Sequence, residues 1–200
     1  MIVIVDYGMG NLRSIKKAVE FLGKRAKVTS DYKLVKKAKK IIFPGVGHFG
    51  KAVKELERRR IFSLLKERIK EGIYFLGICL GMQLLLEESE EAANCKGLGI
   101  IKGKVKLFEG KNLVVPHMGW NQVDLDCGKI ELFKGIKNRS YFYFVHSYYC
   151  EPQEKITAGT TFYGKEFVSF FNKENIWATQ FHPEKSQDVG LKLLNNFLNL

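Results

Sequence analysis

No Cys-x-x-Cys pair occurs in this chain: the four cysteines, Cys79, Cys95, Cys127 and Cys150, stand far apart, which argues against a zinc site and against a disulfide framework. No apolar run approaches the roughly 18 residues that a membrane span needs. The opening Met1-Ile-Val-Ile-Val5 meets Asp6 too early, and without a basic lead, to be a signal peptide. Repeats, low-complexity tracts and linkers are also missing. The expectation is a soluble, cytoplasmic protein with reduced thiols, forming one domain over residues 1–200, a length that encloses a sizeable core.

Acidic residues are the other deficit, 21 against 33 Lys and Arg, for a formal net charge of +12. Lys33, Lys36, Lys37, Lys39 and Lys40 make a dense run, but elsewhere the signs interleave, as in Lys51 to Glu57 and Lys66-Glu-Arg68. Such interleaving gives solvated helix faces. A charge excess without a reading motif is weak support for nucleic-acid binding, so no nucleic-acid partner and no membrane partner is expected.

What is present begins with alternation. Strand-like runs at Ile2 to Asp6, Ala26 to Thr29 and Lys40 to Phe43 are separated by helical patterns, which means parallel strands with crossover helices. The first helix, Leu12 to Leu22, has Asn11 as N-cap, an apolar stripe of Leu12, Ile15, Val19 and Leu22, and Gly23 as its stop. A longer helical region, Gly50 to Lys70, precedes the apolar strand Tyr74 to Ile78, which is expected to be central and buried on both faces. Shorter runs follow at Lys104 to Phe108, Gly119 to Val123, Tyr141 to Val145, Ile156 to Thr161, Glu166 to Phe170 and Ile176 to Gln180. They read as mixed and antiparallel strands of the same sheet, and a helix from Ser186 to Leu198 closes the chain.

Gly77-Ile-Cys79-Leu-Gly81 stands between the central strand and the helical pattern Met82 to Leu86. It is the cysteine counterpart of the Gly-x-Ser-x-Gly nucleophile elbow. The glycines let the backbone approach its neighbours at a strained turn, and a helix N-terminus under the sulfur favours thiolate. Taken alone, Cys79 could be a buried structural cysteine. About a hundred residues on, however, Gln180-Phe-His182-Pro-Glu184 follows another apolar strand, adding a base and an orienting carboxylate to the nucleophile. Phe43-Pro-Gly-Val-Gly47-His48 offers a glycine-rich turn whose amides, with that of Leu80, can face an oxyanion; an ordinary strand-exit turn is the competing reading. His48 reads as a local polar or capping residue. Gly8-Met-Gly10 lacks the third glycine and the acidic ribose ligand of a dinucleotide site.

The elbow, the His-Pro-Glu run and the Pro-Gly-Val-Gly turn resemble those of class I, triad-type glutamine amidotransferases. Asp6-Tyr-Gly-Met-Gly-Asn11-Leu-Arg-Ser14, Pro44 to Gly50, Cys79-Leu-Gly-Met-Gln83, Pro116-His-Met-Gly-Trp-Asn121 and His182-Pro-Glu-Lys-Ser186 narrow the resemblance to the glutaminase subunits of imidazole glycerol phosphate synthases. It spans essentially the whole chain. The resemblance implies an α/β fold, a doubly wound mixed sheet of the class I glutamine amidotransferase (flavodoxin-like) type, with the site at the strands' carboxyl ends.

Residue by residue, it implies Cys79, His182 and Glu184 as catalytic, Gly47 and Leu80 at the oxyanion position, and Gln83, Glu91, Ser147 and Tyr148 as glutamine-binding. It further implies that Asn11, Ser14, Pro116, Met118, Trp120, Asn121, Tyr143 and Lys185 meet a barrel-shaped cyclase subunit in a heterodimer. There the released ammonia helps convert a phosphoribulosyl-formimino intermediate into imidazole glycerol phosphate in histidine biosynthesis. No cofactor and no metal are implied. Read from the residues alone, Glu91 is the end of a solvated acidic helix, the aromatics before Ser147-Tyr148 are core, and Trp120 is a core anchor. Competing functions are a glutaminase serving a guanylate, anthranilate or pyridoxal phosphate synthase, a non-catalytic regulatory subunit, and a basic nucleic-acid module.

Overall fold

The computed structural model describes residues 1–126 and 130–200, so Cys127 lies outside the described residues. The elements in chain order are β1 (Ile2–Val5), α1 (Leu12–Phe21), β2 (Ala26–Thr29), α2 (Tyr32–Lys36), β3 (Lys40–Gly45), α3 (Phe49–Arg58), α4 (Phe62–Lys70), β4 (Tyr74–Cys79) and α5 (Leu80–Gln83). They continue with β5 (Glu88–Ser89), β6 (Gly103–Leu107), β7 (His117–Leu125), β8 (Ser140–His146), β9 (Tyr148–Pro152), β10 (Thr157–Tyr163), β11 (Lys165–Lys173), β12 (Ile176–Thr179) and α6 (Gln187–Asn199). The strands join in the order β2-β1-β3-β4-β12-β11-β10-β7-β8, with β9 bridging β11 and β6. From β2 to β12 the pairing is parallel, and from β12 through β11, β10, β7 and β8 it is antiparallel. The parallel half has the flavodoxin-like order, which places a crevice at the carboxyl ends of its strands.

Strand side chains alternate in direction, and both faces of the parallel half are covered. On one face Val3, Val5, Ile41, Phe43 and Phe75 pack with Val53 and Leu56 of α3 and with Leu64, Leu65 and Ile69 of α4. On the other, Ile4, Ile42, Leu76 and Ile78 meet Ile15 and Val19 of α1 and Leu193, Leu194 and Phe197 of α6. Each such side chain contributes about 1.5–3 kcal/mol when fully removed from water. Asn11 caps α1 by accepting from the Ser14 amide at 3.4 Å. Among the described residues no helix is long and apolar enough to cross a membrane.

Several expected boundaries move, each for a local reason. The single helical region Gly50 to Lys70 is two helices, because Arg60 adopts φ 60° and the Ile61 amide donates back to the Leu56 carbonyl at 2.9 Å. This is the left-handed helix stop that Gly23 and Gly72 make elsewhere, here built on arginine and therefore hidden in the sequence. The helix after the elbow ends at Gln83, not Leu86, because the carbonyls of Leu84 and Leu85 accept from Leu98, Ile100 and Ile101. The acidic run is no helix end but the short β5 followed by a 3-10 turn, Glu90–Ala92. The aromatic stretch from Tyr141 splits at Ser147 into β8 and an unanticipated β9. The lysine run hides α2, capped by Asp31. Its last member, Lys40, donates to the carbonyls of Phe197 and Leu198 at 3.1 and 2.8 Å, closing the end of α6.

Arg60 is exposed and carries a conformation that costs an L-residue about 1–2 kcal/mol, against about 0.5–1 kcal/mol of extra chain entropy for glycine. Arg60→Gly is therefore expected to raise unfolding stability by roughly 0.5 kcal/mol, read as a higher urea midpoint at an unchanged slope. A lower midpoint would show that the arginine side chain stabilises this corner by other contacts.

Candidate active site

Cys79 ends β4 with φ 54° and ψ −110°, a strained conformation for a residue with a Cβ. The surroundings enforce it. A Cβ on Gly81 would run into the Phe43 carbonyl oxygen, and one on Gly77 would lie 2.9 Å from the Gly81 oxygen, so the elbow closes only where both neighbours are glycine. β12 lies beside β4 in parallel register, Ile78 opposite Thr179, and so delivers the residues after Thr179 to the same sheet end as Cys79.

His182 is buried, and its amide donates to the Tyr143 carbonyl at 2.9 Å. The Ser186 hydroxyl donates to the His182 carbonyl at 2.6 Å and accepts from the Tyr143 amide at 3.0 Å, tying the turn to β8. His182 Nδ1 stands 2.9 Å from Glu184 Oε1 with both side chains shielded from solvent, which leaves Nε2 to face the Cys79 sulfur. Nε2 and the second Glu184 oxygen are buried without a partner of strict hydrogen-bond geometry. Burial alone would push the imidazole down, but the negative charge of the Cys79 sulfur, joined by Glu184, more than offsets it and lifts His182 to about 10. The imidazole is therefore held in its charged form by the Cys79 sulfur on one side and the Glu184 carboxylate on the other.

Cys79 opens into a cleft of ≈ 560 Å³, ample for an amino acid. Gly47 and Leu80 line it, as do Gln83, Glu91, Ser147, Tyr148 and Pro116. Gly47 has φ 106°, and a Cβ there would come within 2.7 Å of the Met9 methyl. The Glu91 carboxylate accepts from the Phe49 amide at 2.6 Å, which anchors it at the start of α3 beside the cleft. His48 caps α3, its Nδ1 accepting from the Gly50 amide at 3.0 Å, in line with a capping role.

The residues expected to meet a partner are dispersed differently. Met118 and Trp120 are exposed on β7, with Val114, Tyr141 and Phe162, which the sequence did not single out. Trp120 lies edge-on to Tyr143, and Lys185 stands over the Tyr143 ring at 5.5 Å. Asn11 is exposed and Ser14 half-buried on α1. Asn121 turns inward instead, donating to the Phe162 carbonyl at 3.0 Å and lying 3.3 Å from His117 Nε2.

Three polar residues at the site were missed. Gln180 is wholly buried, and its Nε2 points at the Cys79 sulfur at 3.6 Å, while its Oε1 accepts from Gln83 Nε2 at 3.2 Å. His117 and His146 form a buried pair, described below. The available signal was a Gln, too polar for a strand core, two residues ahead of the His-Pro-Glu run.

Such a nucleophile elbow on a flavodoxin-like sheet defines a class of enzyme, and the comparisons name it. The family model for class-I glutamine amidotransferases matches residues 3–200, and the chain belongs to that family. Imidazole glycerol phosphate synthase subunit HisH of Chlorobium chlorochromatii is 50% identical over the full length of both chains, and that of Methanocaldococcus jannaschii 52% over the full length of both. Within the family, this chain thus belongs with the HisH subunits. Among solved structures, a glutamine amidotransferase superposes with a TM-score of 0.78 at 20% identity over 100% of this chain and 98% of the other. PurLQS from Thermotoga maritima gives 0.78 at 17%, over 99% and 97%. At such identities these two show the fold alone.

Cys79→Ala removes the anion that lifts His182 while leaving its burial in place. The His182 pKa is expected to fall from about 10 in the native chain, so that in the variant its imidazolium signal is lost at lower pH. Histidine NMR titration measures this, and an unchanged His182 midpoint would refute the hold of the Cys79 sulfur on the imidazole.

Proposed function

We propose that the chain hydrolyses glutamine to glutamate and ammonia through Cys79, His182 and Glu184, and hands the ammonia to the cyclase subunit of imidazole glycerol phosphate synthase. The observation that carries this reading is a strained Cys79 with His182 held between its sulfur and the Glu184 carboxylate. The thiolate attacks the side-chain amide carbon of glutamine, and the C=O electron pair moves onto oxygen. Amides at Gly47 and Leu80 are the donors for that oxyanion. His182 protonates the departing nitrogen as the C–N bond breaks, leaving a γ-glutamyl thioester and ammonia. Neutral His182 then takes a proton from water, which attacks the thioester and expels Cys79 as thiolate, yielding glutamate.

Glutamine lies in the cleft with Gln83, Ser147 and Tyr148 along its length, and the Glu91 carboxylate suits its α-ammonium group. The exposed apolar strip of Met118, Trp120 and Tyr141, flanked by Lys185, is the docking face for the cyclase in a heterodimer. The likeness to HisH subunits over the whole chain favours this synthase over guanylate or anthranilate systems. Unpaired Cys79, Cys95 and Cys150 fit a reducing compartment and support a cytoplasmic location.

Cys79→Ala should abolish glutamine-dependent synthase activity in the complex, while added ammonium still feeds the cyclase, whose chemistry needs only ammonia. Continued glutamate release by this variant would sink the assignment. His182→Ala should lose at least about 100-fold in kcat, and Glu184→Gln less, because an amide still orients the ring.

A second expectation concerns timing. The isolated chain should hydrolyse glutamine slowly, and the cyclase with its ligand should raise kcat far more than it lowers KM, because an oxyanion donor matters chiefly in the transition state. A lone subunit running at the full rate of the complex in a coupled glutamate assay would refute the reading that the glycine turn at Gly47 aims its amide at the oxyanion only in the complex.

A further inference from the structure

His117 and His146 take no part in the chemistry above, yet the two imidazoles are buried together at the back of the cleft wall. Their hydrogen bonds allow one proton arrangement. His146 Nδ1 is 2.7 Å from the Tyr148 carbonyl, which can only accept, so that nitrogen carries the proton. His146 Nε2 is 3.0 Å from His117 Nδ1; if His146 is neutral its Nε2 accepts, and His117 Nδ1 donates. His117 Nε2 then accepts from Asn121 Nδ2 at 3.3 Å. The Asn121 amide cannot flip, because its oxygen accepts from the Gln122 amide at 2.8 Å and its nitrogen donates to the Phe162 carbonyl at 3.0 Å.

Every donor in this row meets an acceptor. Reversing it fails at both ends, and a second proton on His146 would set two N–H groups face to face. The aromatic rings of Phe108, Phe144, Tyr163 and Phe167 enclose the pair. Burial holds His117 down at about 4 and His146 at about 3, the latter helped by His117 and His182.

The row does not stop at Tyr148. Its carbonyl also accepts from Gln83 Nε2 at 3.1 Å, and that amide reaches Gln180 Oε1, whose own Nε2 points at the Cys79 sulfur. We propose that His117 and His146 are positioning residues for glutamine hydrolysis: two neutral, Nδ1-protonated rings that pin the Ser147–Tyr148 wall and, through the shared Tyr148 carbonyl, the Gln83 and Gln180 amides beside the nucleophile. This rests on the glutaminase reading above and assigns to it residues that do not touch the reacting atoms. Two rings spent on one carbonyl make sense where the position of that carbonyl matters, since an apolar pair would fill the same aromatic box without demanding partners.

Two measurements test it. On the full-length 15N-histidine-labelled chain near neutral pH, long-range nitrogen–proton spectra are expected to show both rings neutral with the proton on Nδ1; an Nε2-protonated ring, or an imidazolium, at either position overturns the proposal without any variant. In the complex with the cyclase, His146→Phe is expected to lower kcat/KM for glutamine about 10-fold, the scale of one lost buried hydrogen bond, mostly through KM. His146→Asn keeps a donor at the δ position and should recover most of that loss, whereas His146→Gln, which places its amide at the ε position, should not. Equal kinetics for folded Asn and Gln variants, or native KM in His146→Phe, overturns the proposal. A native complex that releases no glutamate would instead refute the glutaminase reading, and the spectra would still decide the ring tautomers.

Discussion

About a hundred residues separate Cys79 from His182 in the chain, and the parallel pairing of β4 with β12 removes that distance. The pairing is non-local, with the whole excursion from β5 to β11 lying between the two strands in the chain. Within it, Ile78 faces Thr179, and the residues that follow each strand leave the sheet at the same end. The strain at Cys79 depends on the same sheet. β3 sits on the other side of β4, and its Phe43 carbonyl presses on Gly81, so the elbow is clamped between two neighbours and cannot relax into an ordinary helix start.

Burial then converts geometry into charge. A thiolate in apolar surroundings is costly, and so is an imidazolium, but side by side each lowers the cost of the other. Glu184 anchors the outer side of the ring, and the Gln180 amide offers the sulfur a donor that carries no charge of its own. The wall behind Ser147 and Tyr148 is built from neutral groups by contrast. His117 and His146, held neutral by burial among aromatic rings, add no positive charge to compete with His182 beside the Cys79 sulfur.

Legibility in the sequence followed periodicity and glycine. Four of the five strands of the parallel half could be read from apolar runs, while β12 looked like one more of the later mixed and antiparallel runs, and Gly77, Cys79 and Gly81 marked the elbow because its constraint is steric and local. Arg60 was opaque, since a left-handed stop on a non-glycine residue leaves no trace in composition. β9 was missed because Ser147 interrupts what looks like one aromatic strand. Glu91 looked solvated from its acidic neighbours, and only the fold brings the start of α3 to its carboxylate. Gln180, His117 and His146 were overlooked for a shared reason: each acts through partners far away in the chain, and no spacing rule records a hydrogen bond between β7 and β8.

The strands that wall the cleft also form the exposed apolar face. Tyr143 lies opposite Trp120 in the β7–β8 pair; its ring lies beside Trp120 and Lys185, and its carbonyl accepts the amide proton of His182. Asn121, one residue beyond Trp120, begins the row that ends at the Cys79 sulfur. Under the proposed function, a partner seated on Met118 and Trp120 would bear on backbone that holds His182 on one side and the Ser147–Tyr148 wall on the other. Coupling between two proteins would need no distant relay in such an arrangement, because a shift of β7 against β8 would move the backbone behind both at once.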